Sequence, residues 1–171
     1  PLSDDFDRIF DDIWIEEDSF EKAEKRLLVT ACDIAIKKAG LKREQLQFFL
    51  SGDLLNQIIS SSFAAREISI PYLGIFGACS SSMEGLSLAS LIIDSKNADY
   101  ILTGAGSHNI SAEKQFRYPA EYGSQKPPTA QWTVTGSGAA VVASSGNGPK
   151  VVASTIGKVI DMGITDPFNM G

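Results

Sequence analysis

A chain of 171 residues, 43% hydrophobic and 21% charged, has the material for one domain with a real core, which excludes wholesale disorder. Its formal net charge of -6 is broken by no cluster of Lys and Arg, so the basic footprint that nucleic acid or an anionic lipid surface demands is missing. Two cysteines, Cys32 and Cys79, and one histidine, His108, supply neither a disulfide framework nor a zinc set, and no cofactor is expected.

Residues 1–18 are acidic, with Phe6, Phe10 and Trp14 scattered among the charges, and read as a surface arm that packs a few large side chains. Asp18 and Glu21 have capping-box spacing. Phe20, Ala23, Leu27, Ala31, Ile34 and Ala35 then recur at helical spacing up to Gly40, a C-cap residue. Cys32 within this helix reads as a buried free thiol. Leu46 to Leu50 is a short buried strand, followed by the turn Ser51-Gly52-Asp53 and a second helix, Gln57 to Ile68. Pro71 precedes a strand, Tyr72 to Phe76, and Gly77-Ala78-Cys79 turns sharply into a third helix, Ser80 to Ser95, almost all of it small or apolar and therefore expected to be buried. Asp99 to Gly106 is again strand-like. Ser107 to Gln131 lacks periodicity and reads as a long loop, a length that usually signals function or a neighbour. Thr133 to Ser144 and Val151 to Ile160, joined by Gly146-Asn147-Gly148-Pro149, predict an antiparallel hairpin.

Strands alternating with helices of ordinary length call for right-handed βαβ units. The expected fold is α/β, with a mixed, mostly parallel five-stranded sheet. No apolar run reaches the ~18 residues that would cross a bilayer, and no signal-peptide pattern is present. The absence of an initial methionine before Pro1 points to a processed or engineered start.

Three segments carry the candidate chemistry. In Gly77-Ala78-Cys79-Ser80-Ser81-Ser82 a thiol opens a helix, where amide groups and the helix dipole favour an anion and lower a thiol pKa. Alternatively, Cys79 simply packs a crowded turn. Asp53 and Asn56 follow a strand, at the end of an open α/β sheet where ligands bind; an ordinary turn with an N-cap explains them equally. The long stretch contains His108, a possible base or donor, and Arg117 and Lys126, cations suited to a carboxylate; a solvated or dimer-covering loop is the alternative. Thr135-Gly136-Ser137-Gly138-Ala139 precedes a strand instead of joining strand to helix, so it is no dinucleotide fingerprint.

Gly77-Ala78-Cys79-Ser80 resembles the nucleophile region of thiolases and β-ketoacyl synthases. GDLLNQ (52–57), FGACSSSME (76–84), SHN (107–109), EKQFRYPAEYG (113–123), VTGSGA (134–139) and GITDPFNMG (163–171) resemble, more specifically, the stage V sporulation AD family of spore-forming bacteria. The resemblance implies a thiolase-like fold of two similar halves, of which residues 1–171 form the first as a single domain, lacking one strand at its start and the whole second half. It further implies a sporulation protein that binds dipicolinic acid (pyridine-2,6-dicarboxylate) and assists its uptake into the spore and its release in germination. Calcium enters only as the ligand's counter-ion. The implied partners are membrane-embedded proteins of the same operon at the spore inner membrane, and a homodimer is expected, with the strand at 99–106 as its edge.

The candidate ligand-binding set is thus Cys79, Asp53, Asn56, Ser80, His108 and Arg117. An acyl-transfer enzyme with Cys79 as nucleophile is an alternative, but in acyl-transferring relatives the second half supplies the activating histidine, a place His108 does not hold. A non-catalytic scaffold of a spore membrane complex is the third reading.

Overall fold

A computed structural model describes residues 3–116 and 133–165. Helix α1 (Phe20–Lys38) starts at Ser19, whose side chain accepts from the Lys22 backbone N–H at 3.3 Å. The cap is therefore one residue later than the sequence suggests, and Asp18 instead pairs with Lys22 across one exposed turn. At the other end Gly40 takes φ +68, which lets its N–H reach the Lys37 carbonyl while Leu41 N–H reaches that of Ile36. These two bonds satisfy carbonyls that the helix would otherwise leave unpaired.

Strand β1 (Phe48–Gly52) leads through a short turn to helix α2 (Ile59–Ile68). Strand β2 (Tyr72–Gly74), helix α3 (Ser81–Asp94) and strand β3 (Tyr100–Ser107) follow, then helix α4 (Asn109–Phe116) and strand β4 (Gly136–Ala143). The strand order is β2-β1-β3-β4. β1 runs parallel to β2 and to β3, while β4 is antiparallel to β3. The mixed, mostly parallel sheet holds, but with four strands and not five. Residues 151–165 are exposed and form no strand, so β4 returns along β3 and makes no hairpin with the segment after it.

Period-2 alternation in the two central strands builds the layers. Phe49 and Leu102, paired in register, point to one face and pack with Leu28, Cys32 and Ile36 of α1 and Ala64 and Ile68 of α2. Leu50 and Ile101 point to the other, where Ile75, Ala89 and Ala98 meet them. The result is helix, sheet, helix, with a core on either side of the strands. Cys32 is buried and unpaired, as expected.

Three expectations change. α3 is buried along one stripe only, Ser81, Gly85 and Ala89; its outer face leaves Met83 and Leu91 exposed, because among the described residues nothing lies over it. The first third of the supposed long loop is helix α4, whose short run of Asn109-Ile110-Ser111-Ala112 holds too few apolar residues to register as periodic. The strand at 100–107 is not an edge: β1 and β4 cover it on both sides, and the edges are β2 and β4.

The close approach of the layers is set by Gly52. A Cβ there would fall inside the contact radius of the Ile75 carbonyl oxygen and lie 2.8 Å from Ser81 Oγ. Gly52→Ala should therefore cost about 1–3 kcal/mol through overpacking, whereas Gly136→Ala, with open space around it, should change stability little. Urea denaturation of both variants checks the contrast.

Candidate functional site

The carboxyl ends of the parallel strands are where an open α/β sheet offers a crevice, and two turns meet there. One leaves β2 through Gly77-Ala78-Cys79. Ala78 adopts φ +48, a left-handed conformation that costs a non-glycine residue on the order of 1 kcal/mol. Ala78–Ser80 makes one tight helical turn, closed by Ser80 N–H on the Gly77 carbonyl at 2.9 Å, with Ser80 Oγ on the same carbonyl at 2.8 Å. Cys79 is thereby lifted out of the layer and is exposed, immediately before α3.

The second turn leaves β1. Gln57 and Ile58 both have positive φ, +61 and +47. Of the other left-handed non-glycine residues, Ser69 and Lys96 lie just past helix ends, where such geometry is routine, and Ile15 and Glu16 lie in the arm before α1. The strain at Gln57, Ile58 and Ala78 has no such explanation and falls on the two turns at the carboxyl edge. The contact of Gly52 with Ile75 and Ser81 brings the bases of those turns together.

The predicted residues divide. Cys79, Ser80 and Asn56 are exposed at this edge. Asn56 donates its backbone N–H to Gln115 Oε1 of α4 at 2.7 Å, so α4 lies against the rim. Asp53 points inward and is nearly fully buried, accepting from Leu55 N–H at 2.8 Å and Ser61 N–H at 2.6 Å. Burial pushes its carboxyl above the usual range, and the Ser61 and Leu55 hydrogen bonds pull it partly back. Asp53 holds the turn's shape and the start of α2. His108 is fully buried and its ring is engaged at both nitrogens: Nδ1 accepts from Ile110 N–H at 3.2 Å, which leaves Nε2 to donate to the Ile13 carbonyl at 2.8 Å. Its ring stacks on Phe20, which stacks in turn on Trp14. Arg117 and Lys126 lie outside the described residues.

One buried group escaped the sequence reading. Glu24 is fully buried in α1, with Oε2 accepting from Ser111 Oγ of α4 at 2.9 Å. Burial and then the nearby Asp53 push its carboxyl up to about 8, against the opposing pull of Ser111 and the His108 backbone. The signal was available: Phe20, Glu24, Leu28, Cys32 and Ile36 form one i, i+4 row, and four of the five are apolar or sulfur-bearing. A carboxylate on such a row has to find a polar partner inside. The described residues contain no group of three or more His, Cys, Asp or Glu placed to hold a metal ion.

A three-layer α/β/α unit with a strained strand-to-helix turn that raises a cysteine at the carboxyl edge defines the thiolase-like class. The solved structures agree. The chain matches 3-oxoacyl-[acyl-carrier-protein] synthase III from Aquifex aeolicus with a TM-score of 0.55 at 18% identity, over 72% of this chain and 39% of that one. It matches acetamide-bound OleA from Xanthomonas campestris with a TM-score of 0.56 at 13% identity, over 70% and 41%. At these identities the likeness speaks for the fold alone. The sequence goes further: the stage V sporulation protein AD (SpoVAD) family matches residues 1–171, and the chain belongs to that family. It is 46% identical to the stage V sporulation protein AD of Bacillus subtilis (strain 168) over all 171 residues, which make up 51% of that protein. The chain thus spans about half the length of its curated relative.

The two thiols should differ sharply in reactivity. Burial pushes the Cys32 thiol up to about 12, and the thiolate is the reacting species. An alkylating reagent should add one label, on Cys79, to the folded protein, with Cys32 slower by on the order of a hundredfold or more until denaturant is added. Mass spectrometry of wild type against Cys79→Ser checks this.

Proposed function

We propose that this sporulation protein binds dipicolinic acid at the carboxyl edge of its sheet and serves the acid's uptake into the spore and its release in germination. Family membership supports the sporulation role. The observation that carries the ligand is the strained Gly77-Ala78-Cys79 turn, which sets Cys79 and Ser80 at the positive end of α3. A flat dianion is held by amide donors, hydroxyls and a helix N-terminus beside apolar surface. Exposed Phe76 and Met83 flank the turn and offer that surface to the pyridine ring. Asn56 lines the opposite turn, Asp53 holds that turn from inside through Leu55 and Ser61, His108 belongs to the proposed set through the start of α4, and Arg117 is the cation proposed to meet a carboxylate.

The net charge of -6 draws no dianion in from a distance, so affinity rests on local geometry. Calcium accompanies the ligand as its counter-ion and is not a resident cofactor. No helix among the described residues is long and apolar enough to cross a membrane, and attachment to the spore inner membrane is proposed to run through membrane-embedded proteins of the same operon. The exposed edge of β4 and the outer face of α3 are the surfaces available for self-association into a homodimer.

Calorimetric titration with dipicolinate, with and without calcium, tests the reading. Saturable binding to wild type, weakened about tenfold or more by Cys79→Ala or Ser80→Ala, is the expected result. A folded wild type that takes up no heat with either form of the ligand would sink it. Labelling of Cys79 by an acyl thioester would then favour acyl transfer, and its absence a scaffold.

A further inference from the structure

Glu24 lies where three parts of the chain converge. Its carboxyl faces Ser111 and the His108 backbone at the start of α4, Asp53 from the turn after β1, and Glu21 on its own helix; none of the groups acting on it is a cation. Ser111 Oγ sits between Glu24 Oε2 at 2.9 Å and the His108 carbonyl at 3.1 Å. Glu24 Oε1 has no partner among the described residues. The arm enters the same junction through the Ile13 carbonyl on His108 and the Trp14–Phe20–His108 stack. At its far end α4 holds the crevice rim, with Gln115 on the Asn56 N–H.

An unmatched oxygen in a neutral carboxyl costs far less to bury than one in a carboxylate that also faces Asp53. The packed junction therefore takes Glu24 protonated, and an ionised Glu24 asks for water.

We infer that Glu24 is a proton-dependent latch: neutral, it holds the arm, α1 and α4 together and keeps α4 against the Asn56 turn, and once ionised it lets α4 and the arm swing away from the rim. The reaction is simple dissociation, with the proton passing to solvent and no other bond changing. His108 stays engaged at both ring nitrogens, with Nδ1 accepting from Ile110 N–H and Nε2 donating to the Ile13 carbonyl.

The sign follows from linkage. In the open state Glu24 is hydrated and ionises near its ordinary 4.5; in the closed state it does so at about 8. The closed state thus holds a proton that the open state has lost throughout that interval, so closure weakens as pH rises across it and levels off above about 8. Burial also raises the Asp53 carboxyl, against the pull of its Ser61 and Leu55 hydrogen bonds.

Hydrogen exchange of the purified protein, corrected for the chemical exchange rate, tests the latch independently of any ligand. Protection of the α4 amides should fall at least about tenfold between about pH 5.5 and 8.5, while β1 and β3 stay protected and the far-ultraviolet circular dichroism is unchanged. Glu24→Gln should hold α4 protection level across the range. Ser111→Ala, which cuts the link and leaves the acid, should lower α4 protection already at about pH 5.5; it decides the matter if Glu24→Gln does not fold. Constant protection of α4 in wild type, or an equal fall in Glu24→Gln, would overturn the proposal.

Discussion

The parallel pairing of β1 with β3 is the constraint on which everything else in this molecule rests. It places Phe49 beside Leu102 on one face of the sheet and Phe48 beside Ile101 on the other. Each face then needs its own helical cover. Because strand side chains alternate strictly, slipping the register by one residue would turn both pairs to the wrong side at once. The same pairing aligns the carboxyl ends of the strands, so the turns after β1 and β2 open on one edge. The approach at Gly52 sets how near those turns come.

That edge is built from two kinds of residue. Cys79, Ser80 and Asn56 face outward on turns that carry left-handed backbone. Asp53, Glu24, Ser111 and His108 lie beneath and spend their hydrogen bonds on the protein itself. Strain in the turn after β1 persists because Asp53 over-determines it: a carboxylate with two backbone donors cannot leave without exposing both. Buried polar groups of this kind contribute little net stability but fix one arrangement of the backbone around them.

Much of this was legible in the sequence. Alternation of helix-period and strand-period segments gave the βαβ architecture, and small residues before Cys79 located the sharp turn. The segment FGACSSSME pointed to the fold, and the longer matching motifs to the family that the full-length match then established. What escaped did so for physical reasons. Val151 to Ile160 has strand composition, but a strand exists only where an edge accepts it, and pairing is a tertiary fact. The Ser80–Ser95 pattern is apolar all round, and composition cannot say which side has a neighbour. His108 reads from sequence as a base or a donor, because type and position show nothing of the Ile13 carbonyl 95 residues away. Glu24 is hard to see in the sequence because the apolar row through Leu27, Ala31 and Ala35 runs one step aside from Leu28, Cys32 and Ile36, the residues that are buried.

The two edges of the sheet are unequal. β2 is three residues long and β4 is eight, with three small residues, Gly136, Ser137 and Gly138, at its start. A three-residue edge offers too little ladder to template another strand, whereas an eight-residue edge without a proline or a charge along it does. Among the described residues, the side of the sheet able to accept a further strand is therefore the β4 side, on the flank away from the Cys79 turn.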